Sequence, residues 1–235
     1  TASRVSEQSG QEAKYDGTVW GTGTNSSGQL GDGTFTSPRL SPVQMLGITN
    51  AVDVIAGQSF SIIRLANGTL KAVGQSGKLG DGSNVNKHTP VTVTGLTDIV
   101  RVATGNHHVL ALKADGTVWA WGSNSASEIG NPASANPQLT AIQTVGLANI
   151  TSIGAGDDFS LALTADGVVL GWGGNSVSQL GDGSTRIRAL PTAISGPGYT
   201  WKVGTPTMGS ASGTYNQNVN VQVSTATPGA TIHYT

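Results

Sequence analysis

The chain has 235 residues, with 12 Lys and Arg against 13 Asp and Glu, a formal net charge of −1 and only 11% charged residues. Such a balance lacks the clustered basic side chains that phosphate binding requires, so nucleic acid is not an expected partner. No apolar run approaches the roughly 20 residues of a membrane-spanning helix, and the absence of cysteine excludes disulfides and thiolate metal sites. The polar start, Thr1 to Glu7, carries no signal-peptide pattern. A weakly charged chain with 34 glycines and abundant Ser, Thr and Asn fits an extracellular or cell-surface protein.

Taken in chain order, one β unit recurs. Ser3–Ser6 and Glu12–Tyr15 read as worn strands leading to a turn at Asp16-Gly17, followed by the strand Thr18–Gly23 and the loop Gln29-Leu30-Gly31-Asp32-Gly33. The second unit is clearer: Val52–Gly57, Phe60–Leu65, the turn Asn67-Gly68, Thr69–Gly74, the loop Lys78-Leu79-Gly80-Asp81-Gly82, then Pro90–Val93. The third runs through Ile99–Gly105, His108–Lys113, Asp115-Gly116 and Thr117–Gly122 to a degraded loop, Glu128-Ile129-Gly130-Asn131-Pro132. The fourth repeats Ile150–Gly156, Phe159–Thr164, Asp166-Gly167, Val168–Gly173 and Gln179-Leu180-Gly181-Asp182-Gly183. Successive turns lie 51, 48 and 51 residues apart. Asp-Gly and Asn-Gly pairs favour a two-residue type I′ hairpin turn, which gives these eight residues a structural role.

In the strand after each turn, Val19, Leu70, Val118 and Val169 share an apolar slot, and Gly23, Gly74, Gly122 and Gly173 end the run. Alternate slots carry Trp20, Lys71, Trp119 and Leu170, then Thr22, Val73, Trp121 and Trp172. Bulk on both faces is expected of a sheet sandwiched between two others. Four short strands in about 50 residues is the size of one propeller blade. The fold class read from the chain is therefore all-β, with about four propeller blades over residues 1–195.

The succession of apolar run, Gly, aromatic, strand, Asp-Gly, Val-x-x-Trp-Gly and Gln-Leu-Gly-Asp-Gly resembles the regulator of chromosome condensation repeat in its bacterial version. Residues 103–122 are the nearest copy, and the resemblance extends over roughly 16–195. It implies a propeller. The family's members have seven blades, so the expectation is that the native chain continues or that neighbouring copies complete the ring. It also implies a menu of roles, among them nucleotide exchange on a small GTPase and inhibition of an enzyme. No loop insertion or aromatic-rich face corresponding to either is evident in the sequence.

The segment 196–206 reads as a linker, with Tyr199 and Trp201 sealing its junction. Residues 207–235 alternate at Val219, Val221 and Val223 before a Thr-Pro-Gly turn. They resemble the start of the C-terminal Ig-like domain of chitobiase/β-hexosaminidase type, a partial β-sandwich that another strand or chain would complete.

Candidate chemistry is sparse. His108 falls in the slot of Phe60 and Phe159, which makes it framework rather than ligand. The Gly-Asp-Gly aspartates recur as loop structure, and the strand tryptophans read as inter-blade packing. Asp157-Asp158 lacks the convergent geometry of a catalytic pair and the oxygen ladder of a calcium loop. The reading assigns no catalytic residue, no metal and no cofactor. Gln58, Ser59, Asn106, His107, Asp157 and Asp158 vary while the frame around them repeats, and variable loops on a fixed scaffold are where recognition resides. They are the candidate partner-binding residues. The expected function is a non-catalytic extracellular interaction or assembly module binding protein or glycan. The alternatives are a regulator of an enzyme or GTPase, or an accessory module of a secreted glycoside hydrolase.

Overall fold

Each blade begins from its hairpin. Lys14 N donates to Thr18 O and Gly17 N to Lys14 O, at 2.8 and 3.0 Å, and the same pair of bonds closes the loops at Gly68, Gly116 and Gly167. Only the glycine takes a positive φ, 77° at Gly17, while Asp16, Asn67, Asp115 and Asp166 do not. These are three-residue loops, a turn followed by a left-handed glycine, and not the two-residue type I′ turns the dipeptides suggested. In the first three blades the side chain reinforces the choice, which the fourth makes with Val168 in place of a threonine. Asp16 Oδ1 accepts from both Thr18 N and Thr18 Oγ1, and Asn67 and Asp115 repeat this with Thr69 and Thr117. That local ring holds the acidic or amide residue outside the left-handed region. The glycine carbonyl then staples the next blade: Ala51 N donates to Gly17 O, Ile99 N to Gly68 O and Ile150 N to Gly116 O.

The computed structural model describes residues 5–6, 9–196, 199–200, 207–208 and 223–224, with side chains placed for 10–194. Four antiparallel meanders result. The first holds β1 (Val5–Ser6), β2 (Ser9–Ala13), β3 (Val19–Gly23) and β4 (Arg39–Gln44). The second holds β5 (Ala51–Ala56), β6 (Phe60–Leu65), β7 (Leu70–Gly74) and β8 (Lys87–Thr92). The third holds β9 (Ile99–Thr104), β10 (His108–Lys113), β11 (Val118–Gly122) and β12 (Gln138–Gln143). The fourth holds β13 (Ile150–Ala155), β14 (Phe159–Thr164), β15 (Val169–Gly173) and β16 (Arg188–Ala193). The worn first unit is thus a full blade, but its second strand is Ser9–Ala13 and not Glu12–Tyr15. Beyond these, Ser195–Gly196 pairs with Tyr199–Thr200 and Thr207–Met208 with Val223–Ser224. The rest of the expected linker, with Trp201, and of the Ig-like tail lies outside the described residues.

The first strands β5, β9 and β13 pack on one another and form the inner side of the arc. The fourth strands lie outermost, with only part-buried or exposed residues along β8 and β12. Between blades the cores are apolar clusters. Val19, Met45 and Ile48 of the first blade meet Val54, Ile63 and Val73 of the second. Leu70, Ala72 and Leu79 meet Val102, Val109 and Trp121 at the next junction, and Val118, Ala120 and Ile129 meet Ile153 and Trp172 at the third.

A glycine precedes the second strand of each of the last three blades for a steric reason. A Cβ on Gly57 would lie 2.1 Å from the Phe60 ring, on Gly105 2.4 Å from the His108 ring, and on Gly156 1.9 Å from the Phe159 ring. Gly57→Ala is therefore expected to cost about 1–3 kcal/mol by overpacking, read as a lower urea midpoint at unchanged slope. An unchanged midpoint would show that the ring moves aside freely.

Candidate functional site

The meander order fixes two ends of the arc. The Asp-Gly turns and the connections between blades lie at one end. The loops joining first to second strands, and third to fourth, lie at the other. Gln75 N donates to Ser59 O, Ser123 N to His107 O and Gly174 N to Asp158 O, so the two kinds of loop are tied together in each of the last three blades. The structure places Gln58-Ser59, Asn106-His107 and Asp157-Asp158 at equivalent positions on this loop face. Gln58 and Asp157 are exposed, and the other four are part-buried. A Cβ on Gly105 would lie 2.4 Å from Gly156 O, so the inner loops of the third and fourth blades abut. The eight turn residues sit on the opposite end.

The Gly-Asp-Gly loops are internally wired. Asp32 Oδ1 accepts from Asn25 Nδ2, Thr34 N and Thr34 Oγ1, and Oδ2 accepts from Arg39 Nε at 2.7 Å. Asp182 has the same set in Asn175, Ser184 and Arg188. Burial pushes the Asp182 carboxyl up, but the bonds from Ser184 and Arg188 outweigh it and bring it down to about 2. Asn25 Oδ1 and Asn175 Oδ1 complete the loops by accepting from Leu30 N and Leu180 N. These carboxylates are fully engaged as loop structure.

A latch that sequence reading missed crosses each junction. The carbonyl of the residue before Leu30, Leu79 or Ile129 accepts from the following blade. Ser61 Oγ donates to Gln29 O at 2.9 Å, Trp121 Nε1 to Lys78 O at 2.9 Å, and Trp172 Nε1 to Glu128 O at 2.7 Å. Ser160 Oγ also donates to Glu128 O at 2.9 Å. Gln11, buried in the first blade, adds bonds to Gln29 O and Ser61 Oγ. Trp121 and Trp172 are wholly buried, which removes them as sugar-stacking surfaces. The signal was a small polar residue, Ser61 or Ser160, directly after the aromatic that opens the second strand.

His108 Nε2 lies 2.9 Å from Ser160 Oγ. The Ser160 proton is committed to Glu128 O, so the imidazole must donate through Nε2–H, and the ring is neutral with Nδ1 bare. Burial, with the nearby His107 adding to it, pushes His108 down to about 4. His88, on β8, packs edge-on against Phe35, 4.8 Å between ring centres. Among the described residues no group of three His, Asp or Glu could hold a metal ion.

The outer face of the fourth blade differs from the others. Leu161 and Val169 are part-buried, while their counterparts Ile62, Leu110, Leu70 and Val118 are wholly enclosed. The opposite end of the arc is polar, with Glu12 exposed and Lys14 Nζ 4.5 Å above the Trp20 ring.

Two family profiles match, both described as the regulator of chromosome condensation (RCC1) repeat, one at residues 16–63 and 73–112 and the other at 99–127 and 150–179. The RCC1 domain-containing protein RUG3, mitochondrial, of Arabidopsis thaliana is 37% identical over 81 residues, 32% of this chain and 17% of that protein. A chain in the crystal structure of Kap60 bound to yeast RCC1 (Prp20) superposes with TM-score 0.76 at 19% identity, covering 84% of this chain and 49% of that one. Prp20p from Saccharomyces cerevisiae gives TM-score 0.72 at 23% identity, covering 89% and 52%, and human WBSCR16 gives 0.71 at 21%, covering 79% and 49%. The chain thus spans about half the length of these solved relatives. At such identities the likeness establishes the fold.

Proposed function

Because this chain belongs to the regulator of chromosome condensation (RCC1) repeat family, we propose that it is a non-catalytic module whose loop face binds a protein partner. The observation that carries the reading is the convergence of variable loops on one end of a repeating frame. Gln58, Asn106 and Asp157 occupy one loop position and differ in charge and size, while the glycines and strands beneath them recur. The comparisons favour protein over glycan. The yeast relative is crystallised with Kap60, and the Prp20p structure is described with its binding to Gsp1p and histones. Regulation of a partner enzyme or GTPase is one form such binding would take. An extracellular placement, and a tail that begins an Ig-like domain, rest on composition and resemblance alone.

Head-to-tail completion by a second copy is the weaker reading. It would set Glu12 against the apolar Leu161 and Val169 face. The first blade also has Gly10 and Thr22 where the other junctions use Ser61 or Ser160 and Trp121 or Trp172 as latch donors.

A photo-crosslinking residue placed at Gln58 or Asp157 is expected to capture one defined protein from the native source, and the same residue at Asn67 or Asp115 is expected to capture none. Equal capture from both ends would remove the assignment of the loop face.

A further inference from the structure

The second blade departs from the repeat at one place. Leu30, Ile129 and Leu180 lie seven positions after Gly23, Gly122 and Gly173, but Leu79 lies only five after Gly74. The shortened loop has lost the asparagine that organises its counterparts at Asn25, Asn124 and Asn175. It has also exchanged its last residue. Gln29, Glu128 and Gln179 each turn a side-chain oxygen back to accept from the loop's own N–H, at Ser27, Ala126 and Val177. Lys78 stands in that slot and has no oxygen to offer.

A cavity of about 240 Å³ opens at the deletion, between the second and third blades on the loop face. Its walls include Gly77, Lys78 and Asn84 from one blade and His107, Asn136 and Pro137 from the next. Lys78 is only 9% exposed. Its ammonium donates to Gln75 Oε1 and lies 6.0 Å from the centre of the Phe60 ring, and among the described residues it meets no carboxylate. Burial pushes it below the ordinary lysine value. The niche floor is fixed, since the Lys78 carbonyl is held by Trp121 Nε1. Facing it, His107 Nδ1 is buried without a hydrogen-bond partner. A buried ammonium with one neutral acceptor is unfavourable by itself, and an incoming anion relieves it with charge-assisted hydrogen bonds.

We propose that this inter-blade niche receives a carboxylate side chain, Asp or Glu, from the bound protein, with Lys78 as its counter-ion and His107 and the Asn84 and Asn136 amides closing around it. The assignment of a protein as the source rests on the loop-face reading above. The niche chemistry stands on its own and is tested without the partner.

The test titrates the full-length chain with N-acetyl-aspartate amide while recording the His107 ring and Gly77 amide resonances. Saturable shifts are expected. They should be absent with N-acetyl-asparagine amide and at least tenfold weaker in Lys78→Gln, a variant that installs the residue already present at Gln29 and Gln179 and so keeps the fold. Equal response to the asparagine probe, unchanged affinity in Lys78→Gln, or tighter binding of inorganic phosphate than of the aspartate probe would overturn the proposal. Aspartate-probe binding in a chain whose loop face captures no protein would uphold the niche and reject its assigned source.

Discussion

Replacing Trp121 by alanine is expected to lower the unfolding free energy by about 3–5 kcal/mol, the usual cost of emptying a large aromatic from a core. The side chain is wholly buried between the second and third blades. It packs with Leu79, Val93 and Val102, and its indole donates to Lys78 O. Truncation therefore opens a cavity and also leaves a carbonyl short of its partner, both within one junction. A part-buried tryptophan of the first blade makes an internal control. Trp20 has the alternate slot on the open face of the first blade, and its removal should cost about 1 kcal/mol or less, as is usual for a change away from the core. Chemical denaturation of both variants reads the difference. Similar losses would show that the junctions do not hold the arc together.

The second large effect is in pH. In the unfolded chain a histidine takes its proton near 6.5, whereas His108 in the folded protein resists it until about 4. Above 6.5 the ring is neutral in both states and contributes no difference. As pH falls from 6.5 towards 4 the unfolded chain binds the proton first, so stability declines, and below 4 the decline from this group ends. The gap between the two values corresponds to roughly 3 kcal/mol. His108→Phe installs the ring that Phe60 and Phe159 already provide in that slot and removes the titration. The variant is expected to lose the Ser160 bond, about 1 kcal/mol, and to match the parent more closely or exceed it near pH 4. A parent and variant that lose stability in parallel across that range would contradict the buried neutral imidazole. The groups nearest to confuse the result are His107, which adds to the lowering of His108, and the loop carboxylates, which both proteins share.

Much of the fold could be read from the chain because its punctuation is chemical. Glycines at 23, 74, 122 and 173 and the Asp-Gly or Asn-Gly pairs mark the same backbone events in each blade, so the strands between them fall into register. The first blade's second strand escaped for a physical reason. It faces the open end of the arc and needs no apolar stripe, and among its described side chains only Gln11, which is polar, is enclosed. The turn type escaped because it is set by the backbone bonds that close each loop with the glycine alone left-handed, which the dipeptide does not reveal; the hydroxyls of Thr18, Thr69 and Thr117 reinforce it in three blades, and Val168 shows that it forms without one. The latches join residues in different blades, and the partner of Trp121 is a backbone carbonyl that no side-chain pattern records.

The candidate site was legible only in part. Aligning the repeats removed His108, Asp32 and Asp182 from the list of reactive groups, and their engaged hydrogen bonds give the reason. The same alignment contained the Lys78 niche, as a two-residue deletion and a lysine where the other loops carry Gln29, Glu128 and Gln179, but the signal lay in a loop whose spacing varies. Of the residues lining the niche, His107 alone was a sequence candidate, and it shares the cavity wall with Lys78.

On the proposed function, the loop face and not the turn face meets the partner. The measurement that tests it most directly is titration calorimetry of the crosslink-identified partner against two variants. One carries Gln58→Ala, His107→Ala and Asp157→Ala together on the loop face, and the other carries Asp16→Ala and Asp115→Ala on the turn face. The predicted result is an affinity at least tenfold weaker for the loop-face variant and unchanged for the turn-face variant. Affinity retained in the first and lost in the second would contradict the account.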